Sequence, residues 1–387
     1  MTSGFSSYAA EIYLQGLAGG VPAFTTDHEA LEDAARSTME PAAFSYVAGA
    51  AGSESTALAN REAFGHWKLV PRMLRDATAR DLSTTVLGTE MPVPVALAPI
   101  GVQSIVHPEG ELATARAASA LGVPMILSTA ASHSIEEVAR ASASGPRWFQ
   151  LYWPNDPEVC ASFLARAKAA GFSTLVVTLD TWMLGWRPRD LDRAYLPFLN
   201  GVGTAVYFSD PVFRAGLAKP PEQDVRAAVL RWLPMFTGTD KSWENLPFLR
   251  EHWDGPIVLK GIQHVDDARR AAEAGMDGIV VSNHGGRQVD GAIGSLDVLP
   301  EIVAAVGDKL EVLFDSGVRT GSDILKALAL GARAVLLGRP WVYGLAQRGE
   351  DGVRQVLRGM VAEAELNLAL SGHRSIAELT PDSLRRV

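Results

Sequence analysis

Short apolar runs recur along the chain and alternate with helix-like patterns. The runs are Val95–Ala98, Met125–Leu127, Trp148–Leu151, Leu175–Leu179, Ile257–Leu259, Gly278–Val281, Glu311–Phe314 and Ala334–Leu337. Runs this short and this uniformly apolar are what parallel strands covered on both faces look like. Between most of them apolar residues return every third or fourth position. That spacing predicts helices over Glu111–Leu121, Ser134–Ala141, Glu158–Ala170, Val265–Ala274, Leu296–Val306 and Ser322–Leu330. Ser134 and Glu137 form a candidate capping box, and Gly122, Gly171, Gly275 and Gly331 stand where a helix must stop before the next strand. Eight strands alternating with helices predict a closed (β/α)8 TIM barrel of the α/β class rather than an open sheet.

The alternation is interrupted at three places. Residues 1–80 read as an N-terminal helical segment: one helix near Asp27–Thr38, another after Pro41 with Phe44, Tyr46 and Val47, then a Gly/Ala-rich break over Gly49–Ser53. The interval Thr181–Gly255, between the fourth and fifth strands, is more than twice as long as the others and holds Pro188, Pro197, Pro211, Pro220, Pro221 and Pro234. Such a segment predicts a functional loop or lid. At the end, Gly352–Leu370 predicts one long helix, followed by an irregular tail over 371–387. The expected organisation is one domain, 1–387, whose barrel occupies 81–370 with a loop 4 lid over 181–255.

Composition adds exclusions. With 387 residues, 47% hydrophobic and 20% charged, the chain carries enough apolar material for one large core. A net charge of -9 argues against a nucleic-acid surface. The single cysteine, Cys160, permits no intrachain disulfide and no thiolate metal centre, so no metal site is expected. Met1–Gly20 lacks a basic stretch followed by an apolar one, and no run approaches the ~18 apolar residues of a membrane span. The expectation is a cytoplasmic protein without membrane contact.

In β/α barrels chemistry sits where the strands end, because those loops converge on one mouth. The successive ends read Pro99–Ile100–Gly101, Ser128–Thr129, Gln150 with Tyr152, Thr178 with Asp180, Lys260, Ser282–Asn283–His284, Asp315–Ser316–Gly317, and Gly338–Arg339. Every strand delivers a hydrogen-bonding group or a glycine to the same rim. Gly317-Val318-Arg319-Thr320-Gly321 with Gly338-Arg339 forms a candidate phosphate corner, where glycine amides approach an anion and guanidinium groups neutralise it. His284, followed by two glycines and Arg287, suits proton abstraction beside a bound anion, with Asp180 able to hold the imidazolium. The other seven histidines (His28, His66, His107, His133, His252, His264, His373) have no comparable surroundings and read as structural.

Ser-Asn-His-Gly-Gly-Arg-Gln at 282–288 resembles the active-site signature of the FMN-dependent L-2-hydroxy-acid oxidases and dehydrogenases. The resemblance extends through Leu97-Ala98-Pro99, His107-Pro108-Glu109-Gly110-Glu111, Phe149-Gln150-Leu151-Tyr152, Leu259-Lys260-Gly261, Asp315–Arg319 and Leu337–Pro340, and reaches Tyr46. Within the family it is nearest to the lactate 2-monooxygenase type, through Ala98–Val102, Thr178–Trp182, Gly185–Leu191 and the long fourth loop. The resemblance implies FMN as cofactor, and a small 2-hydroxy acid, foremost L-lactate, with O2 as partners. It implies a homotetramer or homo-octamer. It also implies that His284 removes the substrate proton, from hydroxyl or from Cα, with Asp180 stabilising its charged form. Arg187 and Arg287 would bind the carboxylate with help from Tyr46, and Tyr152 would hold the hydroxyl. Lys260 would favour negative charge on the reduced ring. Pro99, Ile100, Gly101, Ser128, Gln150, Thr178 and Ser282 would line the isoalloxazine, and Asp315, Gly317, Arg319, Gly338 and Arg339 would take the ribityl chain and phosphate.

Two positions depart from relatives of known type. Ala130 stands where glycolate-oxidising members carry tryptophan and lactate monooxygenases leucine, which implies a roomier pocket and admits aromatic or longer acids. Gly101 matches the monooxygenase type where glycolate oxidases have alanine; the missing methyl is expected beside the flavin. Release of keto acid and peroxide, or their joint decarboxylation to acetate, CO2 and water, both stay open. Two remoter readings are a flavin-free phosphate-binding isomerase barrel and a non-catalytic scaffold.

Overall fold

A computed structural model of the chain describes residues 5–22, 24–236 and 241–387, with backbone alone at 28 and 29. Residues 1–4 and 23 of the N-terminal segment and 237–240 of the expected lid lie outside the described residues, as does the His28 side chain. Eight parallel strands close into a barrel: β1 (Val95–Leu97), β2 (Met125–Ser128), β3 (Arg147–Leu151), β4 (Leu175–Thr178), β5 (Ile257–Ile262), β6 (Gly278–Val281), β7 (Glu311–Phe314) and β8 (Ala334–Leu337). Sequential neighbours pair, and β8 returns to β1 through Val335–Val95 and Leu337–Leu97.

The alternation of side chains along each strand builds two separate cores. Ala96, Ile126, Trp148, Val176, Val258, Val280, Leu313 and Leu336 point into the barrel and form one cluster with Val86, Leu87 and Met91. The last three belong to a hairpin, Thr84–Val86 with Thr89–Met91, that plugs the barrel and was not visible in the apolar pattern. Trp148 fastens the plug by donating its indole N–H to Thr89 Oγ1 at 3.1 Å. The outward set, including Leu97, Leu127, Phe149, Val177, Leu259, Ile279 and Phe314, packs beneath the helices in the second core. Burying each such side chain is worth about 1.5–3 kcal/mol relative to leaving it in water, so both faces of every strand favour closure.

Four helices precede the barrel: α1 (Ser7–Leu17), α2 (His28–Thr38), α3 (Pro41–Ala48) and α4 (Ser55–Gly65). The covering helices are α5 (Gly110–Ala120), α6 (Ile135–Ala141), α7 (Pro157–Ala169), α8 (Val265–Glu273), α9 (Ser295–Val306), α10 (Gly321–Ala329) and α11 (Arg339–Leu370). The Ser134–Glu137 capping box is present in full, and the expected stops at Gly171 and Gly275 are left-handed, with φ of 76° and 70°.

Gly352–Leu370 is helical as expected, and a further helical stretch opens before it at Arg339, the two meeting at a kink where Arg348 and Gly349 leave helical geometry. Two expectations need correction. The tail is not irregular throughout: Leu384–Arg386 pairs antiparallel with Trp67–Leu69, placing a strand inside the helical N-terminal segment too. Loop 4 is largely helical, with short helices at Pro188–Leu191, Ala205–Phe208, Pro211–Ala215, Val225–Phe236 and Leu246–His252. Pro188, Pro211 and Pro247 open their helices, and Pro234 sits inside the last turn of Val225–Phe236. Among the described residues no helix is long and apolar enough to cross a membrane.

Candidate active site

The inward register that fills the barrel with apolar residues delivers polar ones further along the same strands. Ile126 is followed by Ser128, Trp148 by Gln150 and Tyr152, Val176 by Thr178 and Asp180, Val258 by Lys260, Val280 by Ser282, and Leu313 by Asp315. The pairing keeps Ser128 opposite Gln150 and Thr178 opposite Lys260. Above this floor opens a cleft of about 1130 Å³, lined by Tyr46, Pro99, Ile100, Gly101, Ala130, Tyr152, Arg187, Lys260, His284, Arg287, Asp315, Gly317, Arg319, Gly338 and Arg339 among others. Thus fifteen residues from every part of the chain, most of them expected from strand ends, share one cavity. Ser128, Gln150 and Ser282 lie buried beneath it. Thr178 and Asp180 line an adjoining cleft that shares Tyr152, Thr181 and Phe236 with the first.

His284 Nδ1 stands 2.7 Å from Asp180 Oδ1. An ionised carboxylate only accepts, so Nδ1 carries the proton and Nε2 offers its lone pair. Thr181 donates to the same Asp180 oxygen at 3.0 Å and lies 3.1 Å from Nδ1, a contact sequence reasoning had not assigned. Burial pushes His284 below its ordinary value of 6.5 more strongly than Asp180 raises it, so the imidazole is neutral at neutral pH. Burial pushes the Asp180 carboxyl the other way, but His284, Lys260 and the bonds from His284 and Thr181 outweigh it and hold the group down to about 2. A neutral base beside a permanent anion is poised to take a proton.

Lys260 reaches Asp315 Oδ2 at 3.2 Å and donates to Ser282 Oγ at 2.9 Å. Its burial opposes charge, yet Asp315 and Asp180 overcome this and raise its pKa, so the ammonium persists. Gly261, next to it, adopts φ 107°, and any Cβ there would come within 2.8 Å of Asp180 Cβ; the glycine lets strand β5 approach the acid.

The arginines are organised by backbone carbonyls. Arg187 donates Nε to the Arg287 carbonyl at 3.0 Å and Nη2 to Gln288 Oε1 at 2.7 Å. Arg287 donates to the Tyr46 and Gly49 carbonyls at 2.6 and 2.7 Å, with its guanidinium 5.1 Å over the Tyr46 ring. Burial, then Arg187, press the Arg287 group down to about 9; burial and Arg339 press Arg319 down to about 10. Both stay charged at neutrality. Arg339 spends its guanidinium on the carbonyls of Val47, Gly285 and Gly49 at 3.0, 3.1 and 2.9 Å. It therefore joins α3 to the His284 loop, and at the phosphate corner Arg319 is the guanidinium not drawn into this clamp.

Electrostatics identify what fits. Arg187, Lys260, Arg287, Arg319 and Arg339 line the cleft against one carboxylate, Asp315, an excess of positive charge that anionic ligands relieve. Gln150 Nε2 and Thr178 Oγ1 are buried without a hydrogen-bond partner among the described residues, a costly state that a ring edge bearing carbonyl and imide groups would end. The residues present fit FMN.

Sequence reasoning gave Gln288 and Ser316 no task. Gln288 Nε2 donates to the Asp180 and Met183 carbonyls at 2.7 and 2.8 Å, latching loop 4 to the His284 loop. Ser316 Oγ accepts from the amide of Gly285 at 3.0 Å. Neither residue type announces such a role; only the approach of separate loops creates it.

Comparison with known proteins bears on the same site. The FMN-dependent dehydrogenase family model matches residues 35–386. The FMN-dependent alpha-hydroxy acid dehydrogenase qulF of Penicillium citrinum is 52% identical over 99% of this chain and 96% of its own. L-lactate oxidase of Lysinibacillus sphaericus is 44% identical over 90% of each. The crystal structure of mandelate oxidase superposes with a TM-score of 0.82 at 40% identity, covering 94% of this chain and 99% of that one.

Proposed function

The chain belongs to the FMN-dependent dehydrogenase family, and on that premise we propose that it oxidises an L-2-hydroxy acid to its 2-keto acid, with O2 as electron acceptor and His284 as base. The family is one of FMN-dependent α-hydroxy-acid oxidases and dehydrogenases, so the flavin-free isomerase and the non-catalytic scaffold fall away. The observation that carries the proposal is the neutral His284, 2.7 Å from ionised Asp180, in a cleft that also holds Arg187, Arg287 and Lys260.

FMN, when bound, supplies the two-electron oxidation. Lys260, Gln150, Thr178 and the strip Pro99–Gly101 would hold its ring, and Arg319 with the backbone at Gly317 and Gly338 its phosphate. Arg187 and Arg287 bind and orient the substrate carboxylate as a charge-assisted pair. His284 Nε2 takes the proton, and Asp180 stabilises the imidazolium that forms. Tyr152, whose phenol burial pushes far above its ordinary value, stays protonated and donates to the substrate oxygen.

L-lactate is the proposed small substrate, with a lactate 2-monooxygenase outcome if pyruvate is held long enough for peroxide to decarboxylate it. A second reading has its own observation. Ala130 lines the same cleft as the apolar Val106, Leu184, Phe198 and Phe236, and a side chain as small as alanine leaves room beside them. That favours an aromatic or longer-chain acid, for which free keto acid and H2O2 are the products. Adding L-lactate and L-mandelate to the oxygen-free protein tests both: bleaching of the visible flavin band is expected, and no bleaching with any 2-hydroxy acid overturns the proposal. Acetate against pyruvate and peroxide, measured in air, then separates the two outcomes.

A further inference from the structure

We propose that Asn60, on α4, is a positioning residue for the base: it holds the loop carrying His284 in a backbone conformation that the loop would not keep alone. The inference rests on the reading of His284 as base.

His284, Gly285 and Gly286 are three consecutive left-handed residues, with φ of 59°, 65° and 77°. For a histidine this costs about 1–2 kcal/mol, and such strain persists only where the surroundings over-determine it. Here each amide is pinned by a side-chain oxygen. His284 N donates to Ser282 Oγ at 3.1 Å, Gly285 N to Ser316 Oγ at 3.0 Å, and Gly286 N to Asn283 Oδ1 at 3.1 Å. Two of the three pins come from strand-end residues already fixed by the barrel. The third, Asn283, needs its own support.

Asn60 provides it through a reciprocal amide pair. Asn60 Nδ2 donates to Asn283 Oδ1 at 2.8 Å, and Asn283 Nδ2 donates to Asn60 Oδ1 at 2.7 Å. Both side chains are buried. Asn60 Oδ1 also accepts from Ser295 N at 3.0 Å, so its orientation is set in turn by the start of α9. Asn283 Nδ2 also donates to the Ile293 carbonyl at 3.1 Å, but only Asn60 places a donor on Asn283 Oδ1 beside the Gly286 amide; a flip of the Asn283 amide would set its NH2 against the Gly286 N–H and against Asn60 Nδ2. The same helix is anchored at the far end of the loop, where the Asp290 carboxylate accepts from the amides of Ser53 and Ser55 at 2.7 and 2.9 Å. Beneath, α4 sits on the β7 loop so closely that a Cβ at Gly317 would lie 2.6 Å from the Asn60 carbonyl.

A buried amide pair is a poor device for stability alone, since an apolar pair of the same shape can serve nearly as well. What apolar groups cannot do is choose which atom faces Gly286 N, and hence where His284 stands relative to Asp180. A displacement of about 1 Å in such a group can cost about 100-fold in rate.

The test uses the flavin-loaded protein with L-lactate and L-mandelate, reading turnover per bound FMN, FMN content and melting temperature. Asn60→Ala is expected to lower turnover per bound flavin by about 10- to 100-fold while FMN content holds. Asn60→Ser, whose hydroxyl can still serve Ser295 N but cannot bridge to Asn283, is expected to match it, and decides the matter should Asn60→Ala yield no folded protein. Asn60→Asp replaces the donor facing Asn283 Oδ1 with a second acceptor, which favours the flipped Asn283 amide, and is expected to lower turnover per bound flavin at least as much as Asn60→Ala. Full turnover per bound flavin in Asn60→Ala or Asn60→Ser, with only the melting temperature lowered, overturns the proposal. Its failure is distinct from failure of the base assignment: an active His284→Gln removes the latter, whereas an inactive His284→Gln beside fully active Asn60 variants removes only the role of Asn60.

Discussion

His284 gains its role from two neighbours that act in opposite directions. Burial disfavours its charge, Asp180 favours it, and burial wins, leaving the pKa below 6.5. A base must be unprotonated, so kcat/KM is expected to be level around neutrality and to fall as pH drops through that lowered value. In Asp180→Asn the upward pull is gone, and the acid limb should move to still lower pH as the plateau falls; paired pH–rate profiles check both. Replacing the base itself, His284→Gln, should cost about 10²- to 10⁴-fold in kcat while the protein stays yellow, and near-normal turnover would remove His284 from the role. A Cβ at Gly101 would lie 2.6 Å from the Ala130 carbonyl oxygen and 2.8 Å from Ala130 Cβ. Gly101→Ala therefore has to move the β2 loop, at an overpacking cost of about 1–3 kcal/mol. A lower melting temperature, with a changed ratio of KM for lactate and mandelate, is the expected result.

At the scale of elements, loops rather than strands decide the site's completeness. Loop 4 brings Arg187, and the loop after β6 brings His284 and Arg287; Gln288 binds the two together. Gln288→Leu removes a hydrogen bond to a charged group, worth about 1.5–3 kcal/mol. The expected effect is a KM for the hydroxy acid raised at least tenfold, with a smaller change in kcat and unchanged FMN content. A KM left as it was would show that Arg187 aligns without the latch. Element type was legible from apolar spacing because every barrel strand is buried on both faces. The hairpin over Thr84–Met91 escaped because a plug two strands wide has too few residues to set a period, and the helices of loop 4 escaped because prolines that cap short helices look the same in sequence as prolines that break them.

For the molecule as a whole, the C-terminal residues are tied to the segment that precedes the barrel. Leu384–Arg386 pairs with Trp67–Leu69, and the amide of Val387 donates to the His66 carbonyl at 2.9 Å. This ladder lies far in sequence from the cleft's lining residues. Deleting residues 384–387 is expected to lower the melting temperature by several degrees while turnover per bound flavin is kept, which thermal unfolding beside steady-state assays would show. Equal loss of turnover would mean that the ladder also supports α4, which lies between it and the His284 loop.

The order of short apolar runs and turn residues, by itself, determined the barrel and most of the cleft. Once the inward register is known, Gln150, Asp180, Lys260 and Asp315 have only one mouth to reach, because successive side chains on a strand must alternate. The resemblance carried by residues 282–288 pointed to the flavin. What the tertiary structure alone decided is contact between distant loops: the Asn60–Asn283 pair, the Gln288 latch, Arg339 turned to carbonyls, and Gly101 against Ala130. Those contacts depend on ångström-scale approach of segments far apart along the chain, and no period or spacing in the sequence encodes such distances.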